Sequence, residues 1–374
     1  MDSSVVVTPP YLAGPLRLHP FRGLMLAPSR IGDPSSARAF ARPYRDVAAR
    51  LTRWQAQGQL HHDDAPAVYL HEYTAGGITI RGLVGAIDIS RRAENRAERV
   101  VYPHEGVHPV QAAELAERMA EMQLNPAPIL LVHRGRGTVR DVLGPVLATT
   151  PDHEFSDRGG QRHRVWAIRA ADDLAAVDAA LAGSRALIAD GHHRYDAYLR
   201  LQQRSPGRPT DLGLAMLVDQ DDTPLFLGAI HRVLSGPSLD QLAEAASTIG
   251  MAFEVRDPAD AVARLGPNTL VATDGDRWAT LALAVSHTRA PVEVVHEELI
   301  PALPTAPTRV THWHTVDDAL TQLTRGRGLA LLLPAPDFDL VLRIVAADRL
   351  LPEKATSFQP KANIGVLIRS LRDE

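Results

Sequence analysis

The sequence predicts a mixed α/β (α+β) protein with a core, a second, smaller α/β domain and a C-terminal segment that packs back on the core. Three observations predict it. Short apolar runs suited to buried strands alternate with stretches that carry apolar residues at helical spacing. A chain of 374 residues is longer than one compact core ordinarily organises. Gly236-Pro237 punctuates the chain between two such patterns. The expected organisation is therefore residues 1–235, 236–340 and 341–374.

The elements follow in order. Val5 to Asp33, rich in Pro, Gly and Leu, reads as extended structure and turns. Arg45 to Gly58 places Val47, Leu51 and Trp54 at helical spacing and ends on glycine. His61-His62-Asp63-Asp64-Ala65-Pro66 reads as a turn before two strands, Ala67 to Tyr73 and Ile78 to Ile89, joined through Ala75-Gly76-Gly77. A helix over Val110 to Gln123 leads to a buried strand at Ile129 to His133. A strand at His163 to Ile168 and a helix at Asp172 to Ala182 precede the strand Ala186 to Asp190. Gly213 to Val218 and Pro224 to Ile230 read as further strands. Ser238 followed by Gln241 forms a capping box for a helix running to Ile249. The smaller domain then has strands at Thr269 to Thr273 and Ala279 to Val285 and a helix at Val316 to Thr324.

Composition narrows the function classes. A net charge of −4 without a long basic run gives no footprint for a nucleic-acid partner. No segment approaches about eighteen uninterrupted apolar residues, and no secretory pattern opens the chain, so no membrane partner and a cytoplasmic location are expected. Cysteine is absent, which excludes disulfides, thiolate metal sites and cysteine nucleophiles. There is no G-x-x-x-x-G-K-[ST] loop, no G-x-S-x-G elbow and no H-E-x-x-H helix.

The most informative run is Ala186-Leu187-Ile188-Ala189-Asp190-Gly191-His192-His193-Arg194-Tyr195. It reads as a strand that delivers a polar cluster through a tight turn at Gly191 into a helix, whose Tyr195, Tyr198, Leu199 and Gln202 share one stripe. Free first-turn N–H groups, the positive end of the helix dipole, His192, His193 and Arg194 make a cradle for phosphate. The competing reading makes Asp190 a simple N-cap and the histidines surface decoration.

A second chemical element is His104-Glu105, between Pro103 and Gly106. A carboxylate on such a turn is free of ladder obligations and is a candidate general base, with a merely solvated turn residue as the alternative. Lys354, Lys361 and the Thr356-Ser357 hydroxyls are candidates for nucleotide or acidic groups, against a solvated charged tail. His231-Arg232 follows an apolar run and is expected at a strand end, where Arg232 serves either a ligand or a structural ion pair. A magnesium ion held mainly by substrate phosphates, with Asp190 or Glu105 contributing, fits better than a structural zinc built from His61-His62-Asp63-Asp64 or His312-Trp313-His314.

The run from Ile188 to Leu199 resembles the signature of the bacterial family known as domain of unknown function 1015. It resembles more distantly the phosphate-binding turn of the ParB and sulfiredoxin superfamily, which includes the free-serine kinases. Further matches fall in order: Pro20-Phe21-Arg22-Gly23-Leu24, the imperfect Pro43-Tyr44-Arg45-Asp46-Val47, His104-Glu105, Asn125 with Pro128-Ile129, His231-Arg232, and Leu351 to Lys361. The resemblance implies a ParB/sulfiredoxin-like nucleotide-binding core and strengthens the catalytic reading of His104, Glu105 and Asp190. It also implies nucleotide or phosphate contacts from Gly191, His192, His193, Arg194, Lys354, Thr356 and Lys361, and substrate contacts from Asn125, His231 and Arg232. ATP or ADP with Mg2+ is the implied cofactor set, with a small-molecule substrate and room for a homodimer. Sulfiredoxin chemistry itself needs a cysteine and is excluded.

The chain departs from the family pattern at Val107 and Glu114-Leu115, where a Thr and an Asp-Arg pair are expected, at Arg45, and at Ala355-Thr356-Ser357. Two functions are compatible with these residues. One is a small-molecule kinase acting on serine or a related hydroxyl. The other is a non-catalytic or NTP-hydrolysing nucleotide-binding regulator or scaffold.

Overall fold

The structure, a computed structural model, describes residues 6–41, 47–135, 137–207, 209–326 and 328–373. The motif positions Pro43, Tyr44, Arg45 and Asp46 lie outside the described residues. The fold is mixed α/β, and the chain divides into two compact units. The first comprises Met1–Pro103, Val107–Leu225 and Pro360–Glu374; the second comprises His104–Gly106 and Phe226–Gln359.

The first unit is built on a nine-stranded mixed sheet. Its order is Leu12–Ala13, Arg99–Tyr102, Ala186–Asp190, Ile129–His133, Leu212–Asp219, Ile78–Asp88, Val68–Ala75, Arg162–Ile168 and His153–Ser156. Ala186–Asp190 runs parallel to Arg99–Tyr102 and antiparallel to Ile129–His133, which is itself parallel to Leu212–Asp219. The central strands carry almost unbroken runs of buried Leu, Ile, Val and Ala, as both-face burial demands. The helices Pro109–Met122 and His192–Arg204 pack on each other, and Met119, Tyr195 and Tyr198 join Leu131, Ile188 and Leu217 in one core. Tyr195, Tyr198 and Leu199 are at most 2% exposed, each worth on the order of 2 kcal/mol of burial. Three of the four stripe residues therefore form the packing face of that helix, while Gln202 is half-buried and hydrogen-bonds Arg92 and Asp211.

The Val68–Ala75 and Ile78–Asp88 hairpin closes where it was expected. Gly76 and Gly77 take φ of +57° and +82°, the paired positive values a two-residue hairpin turn requires. Across the turn Thr74 Oγ1 and Thr79 Oγ1 share a hydrogen bond of 2.8 Å. A second sheet in this unit orders Leu60–His62, Gly23–Leu26, Ile368–Ser370 and Leu124–Asn125. The chain's last strand is thus paired on both sides within the first unit, whereas 341–359 belong to the second.

The second unit holds an antiparallel six-stranded sheet, ordered Phe253–Arg256, Trp278–Ala282, Thr269–Thr273, Gly328–Leu332, His231–Ser235 and Arg309–Trp313. Val233, Val271, Ala330 and Leu332 pack with Ala319 and Leu323 of the Val316–Leu323 helix. Ser238 caps Leu239–Thr248 in a reciprocal capping box: its Oγ accepts from Gln241 N, and Gln241 Oε1 accepts from Ser238 N.

Three local expectations are corrected. His61 and His62 lie in the Leu60–His62 strand, drawn out of the expected turn by pairing with Gly23–Leu26. Pro224 to Ile230 is not one strand; only Phe226–Gly228 pairs, with Ser357–Gln359. His231 and Arg232 accordingly open a new buried strand instead of closing an apolar one, since Arg232 pairs in register with His312 and Leu331.

Candidate functional site

The Ala186–Asp190 strand buries its four apolar residues and presents Asp190 at its end. The N-cap of the following helix is Gly191, not Asp190. Gly191 has φ +93°, and a Cβ there would lie 2.8 Å from Arg194 Nη2, so glycine lets the chain turn while the guanidinium folds back over it. Arg194 Nη2 donates to Asp190 Oδ2 at 2.8 Å and to Pro128 O at 3.1 Å. Lys361 Nζ donates to Asp190 Oδ1. Burial raises the Asp190 carboxyl, but the Arg194 and Lys361 charges and hydrogen bonds outweigh it and hold the group well below the usual carboxylate range. Two cations against one carboxylate leave this cluster a net single positive charge.

Asp190, Arg194 and Lys361 border a cavity of about 450 Å³ within the first unit. Val84, Leu130, Met216 and Ile364 supply apolar wall, and His71 and Tyr73 supply polar edges. Size, apolar lining and a few convergent polar groups are what a small-molecule site needs. His192 and His193 lie outside this lining; His193 Nε2 accepts from His108 N at 3.1 Å, and the two rings stack at 5.9 Å. Asn125 is buried at 1% exposure, and its Oδ1 accepts from Arg369 Nη1 at 3.1 Å, so it anchors the C-terminal strand.

Asp190 does not fit a magnesium ligand in this arrangement, because each of its oxygens already accepts from a cation. Among the described residues no group of three or more His, Asp or Glu side chains is placed to hold a metal ion.

His104 and Glu105 belong to the second unit. Glu105 forms a parallel bridge with Leu351, and its Oε1 accepts from Ala355 N at 3.0 Å and Thr356 N at 3.4 Å. The Lys354 N–H also turns toward this carboxylate, made possible by a left-handed φ of +57° at Lys354. Burial raises the Glu105 carboxyl above its ordinary value, although Lys354 and these backbone donors pull the other way. His104 is fully buried and shares a 2.7 Å hydrogen bond with Thr356 Oγ1, so that hydroxyl is engaged in the fold.

Arg232 is fully buried. Its Nη2 donates to Glu353 O at 3.2 Å and Lys354 O at 2.9 Å, its Nη1 to Ile230 O at 2.5 Å, and its Nε to His296 Nε2 at 3.1 Å. Burial lowers Arg232 to about 10, which keeps it charged at neutrality, and burial together with Arg232 pulls His296 and His312 down to about 4. His231 Nδ1 accepts from Leu333 N at 3.2 Å. Geometry therefore unites Asp190, Arg194 and Lys361 in one unit and His104, Glu105, Thr356 and Arg232 in the other.

Sequence reasoning missed a third group. His71 Nε2 lies 3.0 Å from His163 Nδ1, and His163 Nε2 lies 3.0 Å from Asp157 Oδ2. His71 borders the cavity. The available signal was a histidine between Tyr69 and Tyr73 on the inward face of a strand, where a hydrophobe is ordinary.

Comparison with curated proteins finds no match. Among solved structures the chain is similar to a free serine kinase in complex with AMP, at 15% identity and a TM-score of 0.39, over 71% of this chain and 88% of that one. It is similar to a conserved hypothetical protein from Pyrococcus furiosus, at 13% identity and a TM-score of 0.39, over 72% and 91% of the two chains. It is also similar to SbnI with C-terminal truncation from Staphylococcus aureus, at 11% identity and a TM-score of 0.44, over 76% and 87%. Residues 16–305 match the model of the family described as Protein of unknown function (DUF1015), and the chain belongs to that family.

Proposed function

We propose that the first unit binds a nucleotide through its phosphates, and that the protein transfers a phosphoryl group from that nucleotide to the hydroxyl of serine or a related small metabolite. The observation that carries this reading is the net positive Asp190, Arg194 and Lys361 cluster on the wall of a largely apolar cavity of about 450 Å³. Arg194 and Lys361 present charge to an anion, and Asp190 holds both cations in place so that little is reorganised on binding. ATP or ADP is the proposed donor, and the apolar wall suits the face of its base.

In this reading the acceptor oxygen attacks the terminal phosphorus as the bond to the bridging oxygen breaks. The hydroxyl proton passes to a general base, a role for which the sequence offers Glu105, and the shortened nucleotide leaves with the bridging oxygen. Burial suits Glu105 to this role, because a carboxyl raised toward neutrality is a better proton acceptor than an ordinary one.

The alternative is a nucleotide-binding regulator that does not transfer the phosphoryl group. The enclosure of Glu105 by three backbone N–H groups favours it, since those donors weaken the carboxylate as a base.

Isothermal titration with ATP, ADP and CTP in the presence of magnesium, followed by phosphorus NMR with serine and other small hydroxylated acids, tests the proposal. Binding with a new phosphomonoester signal supports transfer. Binding without turnover supports the regulator, and absence of binding removes the nucleotide reading altogether.

A further inference from the structure

We infer that His71 Nδ1 is a fixed hydrogen-bond acceptor in the cavity, recognising a hydroxyl or amino hydrogen on the same ligand whose phosphate meets Arg194 and Lys361. This rests on the nucleotide reading of that cavity.

The argument starts at Asp157. Its Oδ1 accepts from Gln161 N at 2.9 Å, and its Oδ2 accepts from Asn363 Nδ2 at 2.7 Å. These hydrogen bonds, with that from His163, hold the carboxyl below its ordinary value against burial, so it is an ionised acceptor. His163 Nε2, at 3.0 Å from Oδ2, must then carry hydrogen. In a neutral imidazole this leaves His163 Nδ1 with a lone pair.

The next contact propagates the choice. His71 Nε2 lies 3.0 Å from His163 Nδ1 and so must donate, which leaves the lone pair of His71 on Nδ1. Both rings are held neutral by burial, His71 down to about 3. Among the described residues the His71 ring makes no hydrogen bond besides the one to His163. His71 is only 2% exposed, and what it borders is the cavity.

Asp157 and His163 are therefore positioning residues that act through His71. They have a consequence for selectivity. An acceptor locked by two buried partners cannot turn into a donor, so it disfavours a carbonyl, carboxylate or phosphate oxygen brought against it. The cavity is polarised, with a cationic wall for the anion and a neutral acceptor for a ligand hydrogen. A nucleoside diphosphate offers both features, through its phosphates and its ribose hydroxyls or base amine.

Long-range proton–nitrogen NMR on the full chain reads the tautomer without any ligand. The expected result is a protonated Nε2 and an unprotonated Nδ1 at His71; a protonated Nδ1 overturns the inference. Titration then uses ADP, 2′-deoxy-ADP, 3′-deoxy-ADP and IDP as probes. His71→Phe should weaken ADP by roughly threefold to tenfold, the value of one hydrogen bond, and one analogue lacking the contacted hydrogen should bind both proteins equally. Asp157→Asn keeps the ring in place while freeing the relay to reverse, and should weaken ADP to a similar extent. Equal ADP affinity in wild type and both variants overturns the acceptor. Loss of ADP binding in Lys361→Ala with no change in His71→Phe sinks this inference alone. If the wild type does not bind ADP at all, the nucleotide reading and the ligand assigned to His71 fall together.

Discussion

Arg232 and Glu105 grip opposite edges of the same two peptide units. Arg232 takes the carbonyls of Glu353 and Lys354, while Glu105 takes the N–H groups of Lys354 and Ala355 that belong to those same units. Each peptide plane is held at both of its polar ends, and the left-handed turn at Lys354 is fixed between a buried cation and a nearly buried carboxylate. The motif residues of the C-terminal run thus owe their conformation to two charged side chains distant in sequence.

Arg232→Met keeps much of the side-chain volume and removes every donor. The Ile230, Glu353 and Lys354 carbonyls lose their partner in a buried setting, and the electrostatic interaction between Arg232 and Glu105 is lost. A destabilisation of about 2–4 kcal/mol is expected by urea denaturation. A change below about 0.5 kcal/mol would show that water replaces the guanidinium at no cost, and that the grip does not matter to the fold.

Glu105→Gln separates charge from hydrogen bonding, because an amide oxygen still accepts from Ala355 and Thr356. The wild-type carboxyl is raised above 4.5 in the folded chain, so the native state binds its proton more tightly than the unfolded state does. Stability then falls as pH rises from about 4.5 through the raised native value, and this slope is absent in the variant. Melting temperatures collected across that window check the sign. If Glu105 takes the substrate proton, the same variant loses turnover while nucleotide affinity stays unchanged; full turnover removes it from the mechanism.

Lys361→Met takes one cation from Asp190 and brings the cluster from a net single positive charge to zero. Nucleotide affinity is expected to fall roughly tenfold or more, the scale of a lost charged hydrogen bond. The acid side provides a second readout. A carboxyl depressed below 3.8 stabilises the fold above that value and loses the contribution as pH falls through the native value. The melting difference between wild type and variant should be widest near neutrality and should close in acid. A difference that stays constant with pH would mean that Lys361 acts by packing alone.

Much of the secondary structure is legible because its causes are local. The glycine pair of the first hairpin, the Ser238 and Gln241 box and the tyrosine stripe after Gly191 each work within a few residues. The site is legible only where the same holds. Asp190 and Arg194 are four positions apart and meet as helix-start neighbours. Lys361 comes from 171 residues away, and nothing in its own surroundings says which carboxylate it will join. Arg232 looks like a surface cation, since arginine is rarely enclosed; its burial depends on carbonyls from a loop more than a hundred positions later. His71 is hidden for the opposite reason. Its strand reads as an ordinary buried one, and the relay that fixes its tautomer needs His163 and Asp157 from elsewhere in the sheet.

Gly191→Ala tests whether the turn exists to seat Arg194. Alanine at φ +93° is strained by itself, at about 1–2 kcal/mol. Its Cβ would also meet the guanidinium at 2.8 Å, and the side chain must swing away because the backbone of the helix start cannot. Asp190 would then keep Lys361 but lose Arg194, leaving the cluster without net charge. The expected outcome is a modest loss of stability with a loss of nucleotide affinity as large as that of Arg194→Ala, and no additional loss when the two substitutions are combined. Additive effects would mean that Gly191 contacts the phosphate directly through its backbone, independently of the arginine.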